Sequence, residues 1–502
     1  MAWQAAARRS ASSLSLAKHE LRVAVVGAGP SAFYAASRLL AMQDSARLRV
    51  DMYEELPVPF GLVRYGVAPD HPEVKNCIHK FEETATDRRF RFFGNAQVGA
   101  LSRTTGFVAP DPPDASPEAG SSAVPIPLEW LRTSYHAVLL AYGAARDRAL
   151  GIPGEDTLAN VHSARSFVHV YNGHPYADLV PSLDLSKVHR VTIVGHGNVA
   201  LDCARMLLAP VDELAKTDVP EPVLAELARS RVEHVDVVGR RGPLQVSFTT
   251  KELRELLSLR DVSFGVDGAS IAEALATLDA HPKMEGARMK RRMLDLMRKA
   301  RPASGSDKRS WSLGFLRSPV ELLPRSDMSG TVGAVRWQRN RLDADGADPS
   351  TASAIRTDQF ETVPTDLVLK SVGYRSIGLP GLPFDARRGV VRNDGGRVID
   401  DAGAKVRGLY ASGWLARGPT GVIATTMGDA YATADIIGRD LLAGADALAP
   451  VQAVDPTALA GPGKLVSWDD WLTIDNEERR RGQALGKPRE KITSIAEMLA
   501  LL

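Results

Sequence analysis

The chain has 502 residues, 44% hydrophobic and 24% charged, with a formal charge of +2; the length favours two or three domains and the near balance of charge excludes general nucleic-acid binding. No apolar run approaches the ~18 residues of a membrane-spanning helix. The only two cysteines, Cys77 and Cys203, form no C-x-x-C, which excludes a redox dithiol or a cysteine-held cluster supplied by this chain alone.

Residues 1–19 contain no acid but carry Arg8, Arg9, Lys18 and several serines, the composition of a mitochondrial presequence. Their removal takes the formal charge from +2 to −1, so net charge says nothing about partners. Residues 21–26 predict a β-strand, Gly27-Ala-Gly-Pro-Ser-Ala32 a turn, and 33–42 a helix; the next strand, 49–53, ends at Glu54. Residues 103–127, rich in Pro, Ser, Ala and Gly, read as a surface insertion. The same strand–turn–helix order returns at 191–194, Gly195-His-Gly-Asn-Val-Ala200 and the helix through Leu208. Residues 213–231 are helical in pattern, and the strand 234–238 ends in Gly239-Arg240-Arg241. The polar stretch 343–358 connects strands at a sheet edge. Apolar strands follow at 367–369 and 408–412, and a helix-prone segment at 421–442. The expected fold is α/β with two Rossmann-like dinucleotide-binding domains: residues 146–365 form one, inserted within a discontinuous domain of residues 20–145 and 366–502.

A helix N-terminus behind a glycine turn offers unpaired N–H groups and a positive dipole end to a pyrophosphate. Gly27 permits the tight turn, Gly29 the close approach of phosphate, and Ala32 is small enough for helix–strand packing. Glu54 at the next strand end suits the ribose hydroxyls of an adenosine without a 2′-phosphate. The second unit has no acid there. Arg240 and Arg241 stand in its place, and guanidinium groups pair with phosphate, which predicts NADPH over NADH. FAD in the first turn and NADPH in the second is the economical assignment, since a hydride then has somewhere to go.

Five stretches carry a family resemblance: VPFGLVRYGVAPDHPEVKN (58–76), GHGNVALD (195–202), VGRRGPLQVSFTTKELRE (238–255), ASGWLARGPTGVIATTM (411–427) and GKPREK (486–491). In these the chain closely resembles the adrenodoxin reductase family, the mitochondrial-type ferredoxin–NADP⁺ reductases. His196 departs from a glutamine common there, at a position expected to face the nucleotide. The resemblance implies FAD contacts at Ser31, Glu54, Leu62 and Val98. It implies that Trp414 and the Gly421-Val422-Ile423 backbone line the flavin ring and nicotinamide. It also implies a pyrophosphate turn of Gly195, His196, Gly197, Asn198 and Val199, a 2′-phosphate clamp of Arg240 and Arg241, and a further NADP-contacting acid, Glu252. His71 and Asp202 match a buried polar pair near the redox centre, expected to manage, with intervening water, the proton of flavin chemistry.

The implied activity is transfer of a hydride from NADPH to FAD and release of electrons singly to an acidic [2Fe–2S] ferredoxin, feeding P450, iron–sulfur or haem pathways. Candidate docking cations are Arg254 and the run Arg288, Lys290, Arg291, Arg292, Arg298, Lys299, Arg301 and Arg309. No metal site is expected. The implied location is the mitochondrial matrix, with peripheral association with the inner membrane left open. Two other readings stand beside this one: an FAD/NADPH monooxygenase, and a non-catalytic NADPH-sensing electron-transfer subunit.

Overall fold

A computed structural model describes residues 20–42, 47–99, 123–177, 183–300, 308–326, 330–343, 348–443, 455–460 and 463–502. The expected presequence, most of the expected insertion at 103–127, and Arg301 lie outside these residues.

The chain begins a sheet with β1 (Leu21–Val26), whose Val23 and Val25 are fully buried, and enters α1 (Pro30–Leu40) directly from the glycine turn. The helix starts three residues earlier than the apolar pattern predicts, because Pro30 occupies its first position. There the missing N–H costs nothing and the fixed φ suits a helix. Strands β2 (Leu48–Tyr53), β3 (Phe90–Phe93) and β4 (Ala137–Leu140) follow. β1 lies between β2 and β4, parallel to both, so its carboxyl end is a topological switch point.

The chain then crosses at β5 (Arg146–Asp147) into a second sheet containing β6 (Val161–Ser163), β7 (Arg190–Val194) and β8 (His234–Val238). It adds β9 (Val262–Val266) and β10 (Arg309–Gly314), giving with β14 (Leu367–Lys370) the order β9-β10-β8-β7-β14-β6, parallel throughout. Between β10 and β14 runs a three-stranded antiparallel sheet of β11 (Arg317–Pro324), β12 (Val332–Leu342) and β13 (Ala354–Pro364). Its Leu322, Val335 and Trp337 pack with Val194, Val238 and Val368 of the parallel sheet. The polar stretch 343–358 thus runs from the end of β12 into β13, whose strand begins at Ala354.

The return comes later than residue 366. β14 pairs with β7 and β6, so the apolar run 367–370 belongs to the second sheet, and the crossing falls at β15 (Tyr374–Arg375), antiparallel to β5. The two connections therefore form one short ribbon. Beyond it, β16 (Asn393–Asp394), β17 (Arg397–Ile399) and β18 (Lys405–Ala411) complete the first sheet beside β4. The helix Ile423–Ala443 lies against α1, where Arg38 pairs with Asp435 at 2.7 Å. Among the described residues no helix is long and apolar enough to cross a membrane.

Candidate functional site: two glycine turns and a polar cluster between them

Each glycine turn has one glycine packed inward and one facing outward. Gly27 has φ +99°, its N–H donates to the Tyr53 carbonyl at 2.7 Å, and a Cβ there would stand 2.8 Å from the Ala141 oxygen. Only glycine fits such a position. A Cβ at Gly29, by contrast, meets nothing within 4 Å, so the start of α1 faces the open space that a pyrophosphate requires. Half-buried Glu54 follows β2; its Oε2 accepts from the Ala28 N–H at 2.7 Å and its Oε1 from Leu56 N–H at 3.3 Å. Burial pushes this carboxyl up to about 7. Two bonds leave lone pairs for ribose hydroxyls. Ser31 is buried with its Oγ 2.9 Å from Ser412 Oγ, which ties the turn after β18 to α1. Leu62 opens a one-turn helix (Leu62–Tyr65) after Gly61, which abuts Gly29. Val98 ends the short strand Ala96–Val98 and packs with the group that holds Tyr53 and Leu415. Gly29 and Glu54 lie beyond the carboxyl ends of β1 and β2, and the space over Gly29 could hold the phosphates of FAD.

The second turn repeats the plan. Gly195 has φ +131°, its N–H donates to the Val238 carbonyl at 2.8 Å, and a Cβ would overlap the Ser371 carbonyl oxygen. Gly197 faces open space, and the helix Asn198–Leu208 begins behind it. Asn198 Oδ1 accepts from Thr249 N–H at 2.8 Å, and Val199 is half-buried against the core of this unit. The His196 ring turns inward: Nε2 lies 3.2 Å from the Val237 oxygen and the ring is 5.1 Å from that of Phe315. Burial lowers it to about 4, so it is neutral at physiological pH. The backbone of His196 lies in the turn, and its carbonyl accepts from Ser247 and Phe248 N–H at 2.9 and 3.1 Å. Arg240 is exposed and Arg241 half-buried; among the described residues neither guanidinium has a hydrogen-bond or ion-pair partner. Their backbone is pinned from the added layer. Asn340 Nδ2 donates to the Arg240 carbonyl at 2.8 Å, and the Leu316 N–H, at a left-handed φ of +56°, donates to that of Arg241 at 3.1 Å.

Between the turns lies a polar cluster drawn from both units. Arg205, 3% exposed, reaches Asp70 at 2.6 Å, Asp202 at 2.6 Å and Glu252 at 3.1 Å. Asp202 stands beside Glu252, and burial followed by the Asp202 charge raises Glu252 to about 8, which keeps it protonated near neutrality. His71 Nε2 sits 2.6 Å from Glu255 Oε2, and its Nδ1 3.9 Å from Glu252. Glu255 thereby holds the Nε2–H tautomer and leaves Nδ1 facing Glu252. His71 and Asp202 are thus brought together, with Glu252 standing between them. Arg205 and Asn340 carry no motif of their own, and Asp70 and Glu255 lie within two of the quoted stretches without being marked by them; the one local signal is the three-residue spacing of Glu252 and Glu255 on the helix Thr250–Leu257.

Trp414 follows Gly413, which abuts Ser31, and its ring lies 5.8 Å from that of Tyr374 in the return ribbon. Gly421 (φ +79°) and Val422, 54% exposed, precede the 21-residue helix that starts at Ile423. Its first turn is therefore accessible as a dipole end. Arg254 is exposed on the Glu252 helix. Of the basic run, Arg288, Arg291, Arg292 and Lys299 line a shallow depression with Asp295 and Leu296. Arg291 and Arg298 are paired with Asp279 and Asp295. Arg309 lies in β10, and Lys290 turns to the Leu244 carbonyl at 3.0 Å.

A mixed sheet with a parallel nucleotide-binding half and a wholly parallel sheet inserted in it, each with an open glycine turn, define a two-dinucleotide oxidoreductase; the pyridine nucleotide-disulphide oxidoreductase profile matches residues 21–267. Over 496 residues the chain is 42% identical to "NADPH:adrenodoxin oxidoreductase, mitochondrial" of Salvelinus fontinalis, covering 95% of this chain and 90% of that one. It is 43% identical to the Bos taurus protein of the same name, covering 96% and 92%. The structure of Mycobacterium tuberculosis FprA in complex with NADPH superposes with a TM-score of 0.82 at 38% identity, covering 96% of this chain and 99% of that one. The chain belongs to the NADPH:adrenodoxin oxidoreductase family.

Proposed function

We propose that this chain takes a hydride from NADPH onto FAD and passes the electrons singly to a [2Fe–2S] ferredoxin. The observation that carries the reading is the contrast between the two turns: Glu54 hydrogen-bonded at the first, and at the second two guanidiniums with no partner among the described residues. FAD, when bound, supplies the conversion between a two-electron donor and a one-electron acceptor. The protein's part is to hold and orient. The first turn, with Ser31, Glu54, Leu62 and Val98, binds FAD. The second, from Gly195 to Val199 with Arg240 and Arg241, binds NADPH. Trp414 and the Gly421–Ile423 backbone border the reacting rings.

His71, Glu252 and Asp202 hold the proton that accompanies the redox change. Glu252 is neutral near pH 7 and can give a proton towards Asp202 or His71 Nδ1, while Glu255 fixes the imidazole. Arg254 and the outward cations Arg288, Arg292 and Lys299 face an acidic partner, and residues 1–19 direct the chain to mitochondria. Flotation on cardiolipin vesicles tests a peripheral contact with the inner membrane.

Reduction of an added [2Fe–2S] ferredoxin by NADPH, followed through cytochrome c, tests the assignment. The rate should fall steeply between 50 and 300 mM salt, as the Debye length shortens from about 14 to about 6 Å, and His71→Ala and Asp202→Asn should slow turnover. A salt-independent rate contradicts the docking surface; unaltered flavin reduction and acceptor turnover in both variants contradict the proton role. Stoichiometric peroxide without ferredoxin reduction would favour a monooxygenase instead.

A further inference from the structure

The helix Ala287–Lys299 buries Met293, Leu294 and Met297, and this packing sends its cations to different sides. Arg288, Arg292 and Lys299 are exposed. Lys290 is half-buried, and its Nζ donates to the Leu244 carbonyl at 3.0 Å, within the loop that begins with Gly239-Arg240-Arg241. That loop is closed on itself by Gln245, whose Oε1 accepts from Gly242 N–H at 2.9 Å and whose Nε2 donates to the Pro349 carbonyl at 2.7 Å. Three cations thus gather round one short loop. Two acids face Lys290, Asp348 and Glu285, and Asp348 already accepts from Ser350 N–H at 2.8 Å. Burial lowers Arg241, and the Arg240 charge lowers it further; burial also lowers Lys290, with Arg241 adding to the effect and Asp348 and Glu285 opposing it. Gathering like charges is unfavourable unless an anion joins them.

Resting on the NADPH reading of the second turn, we propose that Lys290 belongs to the coenzyme site as a third cation for the 2′-phosphate, and not to the ferredoxin-facing surface. One of its three N–H groups is spent on Leu244, which anchors the ammonium beside the clamp as a point charge; the guanidiniums supply the directional bonds.

The test compares Lys290→Met, Lys290→Arg and Arg241→Met as FAD-loaded proteins, by calorimetric binding of 2′,5′-ADP and 5′-AMP and by ferricyanide reduction with NADPH and NADH. Lys290→Met should weaken 2′,5′-ADP about 5-fold, as expected for one partly screened charge. It should raise KM for NADPH by the same factor, with 5′-AMP binding, KM for NADH and kcat unmoved, and Lys290→Arg should recover most of the loss. If Arg241→Met lowers the preference for 2′,5′-ADP but Lys290→Met does not, Lys290 is not part of the site while the second-turn reading stands. If neither does, both fail. Equal loss with both nucleotides would mark Lys290 as merely structural and overturn the proposal. A fold-independent check is reductive methylation of the unsubstituted protein: 2′,5′-ADP should protect Lys290 and 5′-AMP should not, and equal labelling with either would contradict the assignment.

Discussion

Replacing Glu252 by Gln should remove a pH dependence from the protein's stability. In the folded protein burial and the neighbouring Asp202 carboxylate raise Glu252 from an ordinary value of 4.5 to about 8. The folded state therefore holds this proton more tightly than the unfolded chain does. The associated stability is complete below pH ~4.5 and is lost as pH rises through the unfolded value towards 8. The interval from 4.5 to about 8 corresponds, at 1.36 kcal/mol per pH unit, to an upper bound of about 5 kcal/mol; relaxation and water entry reduce it to about 2–3. Glutamine keeps the shape, can still accept from Arg205 Nη1 and cannot ionise. Urea unfolding of the FAD-loaded protein at pH 5.0 and 8.5 should show the variant gaining about 2–3 kcal/mol on the unsubstituted protein at the higher pH. A difference of less than about 0.5 kcal/mol between the two pH values would mean that Glu252 is ionised throughout and that the cluster is not a proton-holding site.

Gly195→Ala should destabilise the second unit by at least about 2 kcal/mol, because φ is +131° and the new Cβ would collide with Ser371; thermal unfolding measures it, and a neutral result would contradict the packing of that turn. Asn340→Leu should raise KM for NADPH but not for NADH, as loss of its bond frees the Arg240 carbonyl at a cost of about 1–2 kcal/mol. Equal shifts for both coenzymes would show that the added layer does not position the clamp.

Much of the geometry was legible in the sequence, for local reasons. Gly27 and Gly195 are required by torsion, Gly29 and Gly197 leave open space before a helix, and Glu54 and Arg240/Arg241 stand at strand ends; all of these depend on a few neighbouring residues. The helix Ile423–Ala443 was likewise set by its own composition. What escaped depends on contacts across long separations. The run 367–370 is equally apolar whichever sheet it joins, so its pairing with β7 could not be read from its residues. Arg205 meets Asp70 across 135 positions and His71 meets Glu255 across 184, and neither pairing leaves a local pattern. The inward turn of His196 follows from Gly239, where a Cβ would collide with its ring. Lys290 looked like its basic neighbours, because only the packing of Met293, Leu294 and Met297 decides which way each side chain of that helix points.

Anaerobic absorbance titration of the purified protein with NADPH and, separately, NADH asks whether one turn holds FAD and the other a 2′-phosphorylated nicotinamide coenzyme. Bleaching of a bound flavin by stoichiometric NADPH, with NADH needing on the order of 10- to 100-fold higher concentration as expected for loss of charge-assisted phosphate bonds, is the predicted result. A protein that FAD cannot reconstitute, or one bleached equally by the two coenzymes, would contradict the assignment of the turns.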